Sequence, residues 1–91
     1  MGVTAARKAQ RAVANTRRIL AVEAIAGCQA LEFHRPLATS PPLEAAYARL
    51  RTCVPPLERD RVLARDIEAA AELVRTGALA ADAASQCGTL E

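Results

Sequence analysis

The sequence predicts an all-α protein with one long bundle helix followed by two shorter helices. Hydrophobic residues make up 52% of the 91 residues, yet there is one Phe, one Tyr and no Trp. This alanine-rich composition is typical of helices rather than strands or disorder. Apolar residues recur at helical spacing, and the prolines lie between the periodic segments, where helices end or begin.

The long helix is predicted from Val3 to Phe33. At 100° per residue its first half is amphipathic, while the second half, from Ile19, is apolar on nearly every side. We therefore expect neighbours all round the second half. Three polar residues interrupt it, Glu23, Gln29 and Glu32. The apolar stripe contains Ala6, Ala9, Val13, Leu20, Ala24, Gly27 and Leu31, and Arg7, Arg11 and Arg18 lie opposite.

The length of this helix is large for so small a chain. About 31 residues give a rod of roughly 45 Å, whereas a compact chain of this size has a radius of gyration near 12 Å and a diameter of about 30 Å. The helix must bend back, be covered by other chains, or belong to something larger. Its first turns lack a capping residue before Thr4 and carry cations, which indicates either a helix that starts further upstream or a frayed end.

The second helix is predicted over residues 41–53. Pro36 ends the first helix, because the residue before a proline avoids the α conformation. Ser40 followed by Pro41 is a strong start signal, with a hydroxyl N-cap and proline at the first position. Pro55 and Pro56 end the helix. Its buried face is predicted to contain Leu43, Ala46, Tyr47, Leu50 and Val54.

A connector over residues 57–64 leads to the third helix. Asp66 and Glu68 are predicted in its first turn, where carboxylates are favourable, and Gly77 at its C-cap, with Leu79 packing back. The stripe contains Ile67, Ala70, Ala71 and Val74. Residues 80–91 lack periodicity, so residues 1–80 are predicted to form the helical segment and residues 81–91 a mobile tail.

Charge and cysteine usage indicate a soluble cytoplasmic chain. The net charge is +2, divided as +4 over residues 1–35 and −2 over residues 36–91. Cys28, Cys53 and Cys87 are odd in number and far apart, which favours a reducing compartment over disulfides. The apolar run from Ile19 to Ala26 is too short to span a membrane, and no signal peptide is evident.

The sequence offers no constellation for catalysis. His34 has no nucleophile or ligand at a useful spacing, and the cysteines Cys28 and Cys53 lie among apolar neighbours as core residues. Phosphate-binding glycine loops are absent. We predict no catalytic, cofactor-binding or metal-ligating residue.

Two charged features of the sequence each allow more than one interpretation. Glu23 has mostly apolar neighbours, so it is expected either to pair with an arginine of a neighbouring helix or to act as an acid of raised pKa. The basic residues of the long helix could contact phosphate, but a solvated or salt-bridged face is favoured because aromatic stacking residues are lacking. They are Arg7, Lys8, Arg11, Arg17 and Arg18.

The chain resembles the C-terminal portion of the histidine ammonia-lyases, in the family that also holds the phenylalanine and tyrosine ammonia-lyases. The resemblance covers residues 1 to about 80 and rests on the order and spacing of four stretches. They are Met1-Gly2 with Ala5-Ala6-Arg7-Lys8, NTRRILAVE from Asn15, CQALEFHR from Cys28, and VPPLERDRVLARDIEAAAELVRTG from Val54.

This resemblance implies a long helix of a central bundle in a homotetramer, whose partners would be other helices of the lyase. The family uses a methylidene-imidazolone group formed from an internal Ala-Ser-Gly, and Ala84-Ser85-Gln86 is the nearest stretch in this sequence. The family's active-site glutamate lies just before the position matched by Met1. The resemblance therefore carries over no catalytic residue. Two alternatives stay open, a self-associating helical interaction module and a basic nucleic-acid binder.

Overall fold

The computed structural model describes residues 2–57 and 61–87 and confirms the all-α class. Within these residues there are four helices and no strand, in the order α1 (Gly2–Phe33), α2 (Pro41–Arg51), α3 (Ala64–Thr76) and α4 (Ala78–Cys87). The long helix is thus followed by three shorter helices rather than the predicted two. Part of the predicted connector, residues 58–60, lies outside the described residues.

Helix α1 extends without interruption over 32 residues, as the sequence predicted. Its two buried residues are Ala21 and Cys28, which are seven positions apart and therefore share one face. The molecule measures 54 × 40 × 16 Å, with a radius of gyration of 15.2 Å. The long helix does not bend back, so it gives the chain an elongated shape.

Helix α2 begins at the predicted position and ends two residues earlier than predicted. Ser40 has extended backbone angles, φ −63° and ψ 153°, and is followed by proline. The expected hydroxyl cap is wrong, because the Ser40 side chain makes no capping hydrogen bond. After Arg51 the chain continues in a turn in which the amides of Cys53 and Val54 donate to the Leu50 carbonyl.

Gly77 joins α3 to α4, and here the structure corrects the predicted tail. Gly77 has φ 75° and ψ 14°, and its amide reaches the carbonyls of Leu73 and Val74, which confirms the predicted C-cap. Ala78 then starts a new helix that continues to Cys87. Residues 81–87 are therefore helical, although their alanines and small polar residues give no apolar stripe. Residues 88–91 lie outside the described part.

The core is small and joins all the helices. Helix α3 packs on α1 and α4 packs on α2, while the α1–α2 and α3–α4 contacts are slighter. Leu50 and Val54 are the large side chains that are fully buried. Leu79 packs against this cluster as predicted. The buried residues are Ala21, Cys28, Leu50, Val54 and Ala70.

Candidate functional site

The densest polar cluster lies at the corner where α1 ends and α2 passes beside it. Tyr47 is placed between two guanidinium groups, with Arg35 Cζ 4.6 Å and Arg51 Cζ 5.1 Å from its ring centroid. Its hydroxyl donates a hydrogen bond to Glu32 on α1. We call Glu32, Arg35, Glu44, Tyr47 and Arg51 the corner cluster.

The two carboxylates of the corner cluster are held by different donors. Glu44 accepts two hydrogen bonds from Arg35, at 2.7 and 3.0 Å, and one from the Thr39 amide at 2.9 Å. Glu32 accepts from Tyr47 and, at 3.2 Å, from Arg51 Nε. The loop between α1 and α2 is therefore fixed by charge-assisted hydrogen bonds at both ends.

These contacts shift the titration of both carboxyl groups downward. The hydrogen bond from Tyr47 and the positive charge of Arg51 lower the pKa of Glu32. Hydrogen bonds from Arg35 and from the Thr39 amide lower the pKa of Glu44. Arg51 also donates to the Val54 carbonyl, while its buried Nη2 has no hydrogen-bond partner among the described residues. The cluster thus holds its charged groups in a fixed arrangement.

The side-chain amide of Gln29 joins the chain beyond α2 to the last turns of α1. Gln29 accepts from the Leu57 amide at 3.0 Å and donates to the Leu57 carbonyl at 3.2 Å. Arg61 donates to the carbonyls of Pro55 and Pro56 and to Asp66. The proline segment lacks regular structure, yet its backbone polar groups are well satisfied.

An open apolar cleft of about 340 Å³ separates α1 from the α2–α4 pair. Its α1 wall combines Leu31 with three small residues, and a Cβ added to one of these, Gly27, would meet nothing within 4 Å. The cleft shows no concentration of polar groups suited to chemistry. Its lining consists of Ala24, Gly27, Cys28, Leu31, Thr39, Leu43, Ala46, Tyr47, Leu50 and Leu79.

The outer face of α1 is apolar and only partly covered, since Val22 and Ala26 line a cavity of about 210 Å³ together with Leu57 and Ile67. We use this name for Ile19, Val22, Ala26 and Phe33. Within the chain Ile19 remains 59%, Val22 48% and Phe33 79% exposed. Contiguous exposed apolar side chains of this size mark interaction surfaces in soluble proteins. The predicted burial of the second half of α1 is therefore realised on one side only.

Glu23 is exposed, contrary to the burial predicted from its apolar neighbours. It makes no ion pair or hydrogen bond within residues 2–57 and 61–87, so the expected arginine partner stays a prediction. Its sequence neighbours are apolar, but the helix turns its carboxylate to solvent. His34 is also exposed, in the turn that follows α1.

The three cysteines differ in environment. Cys28 is buried, where desolvation raises its pKa, whereas Cys53 and Cys87 are exposed. Cys53 was predicted to be a core residue, and that is wrong because α2 ends before it, and the turn that follows buries Val54 and leaves Cys53 exposed. Of the basic residues on α1, Arg18 pairs with Glu68 at 3.1 Å, while Arg7, Lys8 and Arg11 are exposed.

The corner cluster was not predicted from the sequence. A signal was present, since Glu44, Tyr47 and Arg51 lie at i, i+3 and i+7 on one helical face, and Glu32 and Arg35 are three apart. The sequence does not reveal that α2 lies beside the end of α1, because this depends on the geometry of the loop between them.

The described residues contain neither a membrane-spanning helix nor a metal site. No helix in the described ranges is both long and apolar enough to cross a membrane. Across those ranges, no three of the His, Cys, Asp and Glu residues gather as a metal site would require. Ala84-Ser85-Gln86 does not fit the precursor of a methylidene-imidazolone, because it has Gln in place of Gly and lies within α4, where Ser85 Oγ donates to the Asp82 carbonyl.

Comparison with known proteins places these features in a family. The histidine ammonia-lyase of Symbiobacterium thermophilum is 54% identical over 91 residues, which is 100% of this chain and 18% of that protein. The histidine ammonia-lyase of Koribacter versatilis is 48% identical over 91% of this chain and 16% of its own length. That of Mus musculus is 50% identical over 81% of this chain and 11% of its own length.

The chain thus spans less than a fifth of the length of these relatives. No solved structure matches it. The family model for aromatic amino acid lyases matches residues 1–52, which include α1, the corner cluster and α2. This chain belongs to the aromatic amino acid lyase family.

Proposed function

We propose that the chain is the C-terminal structural and oligomerisation segment of a cytoplasmic histidine ammonia-lyase-like enzyme. The complete homotetramer would convert L-histidine to urocanate and ammonia. The 91 residues alone would be inactive, because the electrophile and the catalytic glutamate would come from other parts of the lyase. Covalent catalysis requires its electrophile to be present.

The exposed outer face of α1 is the observation that supports a structural role most directly. Ile19, Val22 and Phe33 are about half or more exposed on a helix that the chain itself covers only in part. In contrast, both carboxylates of the corner cluster are hydrogen-bonded within the chain, and these contacts connect α1 and the following loop to α2. A segment whose charged side chains are paired on one side and whose other side is apolar is suited to pack into a larger helical assembly.

The proposal can be tested by transplantation into a relative. In the Symbiobacterium thermophilum enzyme the matching segment would be replaced by residues 1–91, giving what we call the chimeric lyase. We expect it to assemble like its parent and to form urocanate, measured by absorbance. The parent lacking the segment, and the isolated chain, should form none. Urocanate from the isolated chain, or a chimera that fails to assemble, would overturn the proposal.

A second candidate is a self-associating helical module that functions without the rest of a lyase. The same exposed residues of the outer face support it, since two copies could cover each other. It predicts a defined oligomer for the isolated chain. Sedimentation velocity over a range of concentrations distinguishes the two candidates, because the first predicts no defined oligomer.

A further inference from the structure

Helix α4 contributes less to the buried core than the other three helices. Each of α1, α2 and α3 has at least one buried residue, whereas α4 has none. Leu79 is its one large apolar side chain, and its other half-buried residues are three alanines and Asp82. Because hydrophobic stabilisation grows with the apolar area removed from water, α4 receives less of it than its neighbours.

Helix α4 is also too short to be stable by itself. It has 10 residues, and isolated helices shorter than about 12–15 residues are marginal in water. An α4 that leaves α2 would therefore lose its helical structure as well. The undocking of α4 and its melting are thus one event.

A single residue, Gly77, joins α4 to α3. Gly77 ends α3 in the left-handed conformation, with φ 75°, which glycine adopts without strain. The contacts between α3 and α4 are slight, whereas α3 packs along α1. A movement of α4 about Gly77 therefore leaves the packing of α3 on α1 in place.

A two-point ion pair fastens α4 to α2. Arg49 Nε donates to Asp82 Oδ2 at 2.7 Å, and Arg49 Nη2 donates to Asp82 Oδ1 at 3.2 Å. Among residues 2–57 and 61–87, no other ion pair joins α4 to another helix. The two side chains are 45% and 30% exposed, so solvent and salt weaken their attraction.

We propose that α4 is a detachable strap, which opens about Gly77 when the Arg49–Asp82 pair separates, while α1 and α3 stay packed. The chain then has an open state that costs less free energy than global unfolding. Such local opening is drawn from segments with few buried apolar contacts, which is the property that separates α4 from the other helices.

Opening of the strap changes the apolar cleft between α1 and the α2–α4 pair. Leu79 lines this cleft together with Leu50 and Cys28, and it packs against the core cluster that contains both. Its withdrawal exposes the Leu50 side chain and the Cys28 thiol to solvent. The strap therefore controls access to the floor of the cleft.

Hydrogen exchange of the 91-residue chain, followed by mass spectrometry, tests the order of opening. Peptides from α4 should exchange faster than those from α3, and their rate should rise with salt. Asp82→Asn and Arg49→Gln should each raise the α4 rate by about two- to fivefold, as expected for a partly exposed ion pair, and leave the α3 rate unchanged. The double variant should exceed neither single variant, since both remove the same contact. One common rate for α3 and α4, or no effect of the two substitutions, would overturn the proposal.

Glu72→Gln is the matched control. It removes an exposed ion pair with Arg75 that lies entirely within α3. The exchange rate of α4 should not change. An equal increase from Glu72→Gln would show that the loss of any surface ion pair loosens the chain, and it would overturn the assignment of the Arg49–Asp82 pair.

Thiol labelling distinguishes undocking of the strap from fraying at its end. With Cys53→Ser and Cys87→Ser, Cys28 is the one remaining thiol. In that background Asp82→Asn should raise the labelling rate of Cys28 by the same factor as the exchange rate of α4, measured at one pH. An unchanged labelling rate would mean that the cleft stays covered when α4 exchanges, and the strap would be wrong.

Discussion

The corner cluster adjoins the end of the outer face of α1, where Glu32 precedes Phe33, yet the two regions differ in how far the chain provides their contacts. In the corner cluster, charged side chains converge from α1, α2 and the loop, and both carboxylates have several donors. On the outer face, Ile19, Val22 and Phe33 have no cover of comparable quality. The chain completes its polar contacts locally and leaves apolar area open.

This difference follows from the physics of the two kinds of contact. A buried charge without a partner is costly, so charged groups must find partners close by. Exposed apolar area carries a smaller penalty per residue and can be covered by another part of a larger protein. In a segment adapted to a larger assembly, we therefore expect the charged groups to be paired within the segment and some apolar surface to stay exposed.

Truncation of Leu50 should have the largest effect on the stability of the isolated chain. Leu50 is 1% exposed and packs with Val54 in the small core. Leu50→Ala is expected to lower the free energy of unfolding by about 2–5 kcal/mol, measured by urea denaturation followed by circular dichroism. Leu43→Ala is the control on the same helix, because Leu43 is 57% exposed. Equal costs for the two substitutions would contradict the described core.

Acid should weaken the corner cluster. The pKa values of Glu32 and Glu44 are lowered by their hydrogen-bond donors. Their contribution is therefore fully present above the ordinary glutamate pKa of about 4.3 and is lost as the pH falls through the lower folded values. The urea midpoint should fall between pH 5 and 3, about that pKa range.

Two glutamine variants locate the source of this pH dependence. Glu44→Gln should lower the midpoint at neutral pH and flatten its fall in acid. Glu23→Gln is the matched control, since Glu23 is exposed and has no partner in the described chain. A pH dependence that is unchanged by Glu44→Gln would show that the cluster does not stabilise the corner.

The sequence was sufficient for features set by local chemistry. The start of α2 follows from the proline at its first position, Pro41, and the left-handed end of α3 follows from Gly77. The resemblance to the lyases was also readable, from short stretches in a fixed order, and the family match confirms it.

The features that were missed depend on tertiary contacts. Helix α4 has no apolar stripe, and its position is fixed by packing on α2 and by Arg49, which contacts Asp82 at 2.7 Å. The exposure of Glu23 depends on which side of α1 its neighbours occupy. Such contacts join residues distant in sequence, so periodicity within one segment cannot reveal them.

Substitution of Gly27 should have a smaller effect, in the opposite direction. Gly27 lies inside α1, and a Cβ there would meet nothing within 4 Å. Gly27→Ala should stabilise the isolated chain by about 0.5–1 kcal/mol, because glycine loses more backbone entropy in a helix. The urea midpoint measures this. In the chimeric lyase the gain should vanish if another element fills the cleft, whereas a loss in the isolated chain would mean that the cleft is already closed.

The smallest effect is expected on the outer face itself. Phe33 is 79% exposed, so Phe33→Ser should change the unfolding free energy of a monomeric isolated chain by no more than about 0.5 kcal/mol. In the chimeric lyase the same substitution should reduce the tetramer fraction seen in sedimentation, because an apolar side chain would be lost from an interface. An isolated chain that is markedly destabilised by Phe33→Ser, in a concentration-dependent way, would instead support the self-associating module. The apolar area left open would then be covered by a second copy of the chain rather than by the rest of a lyase.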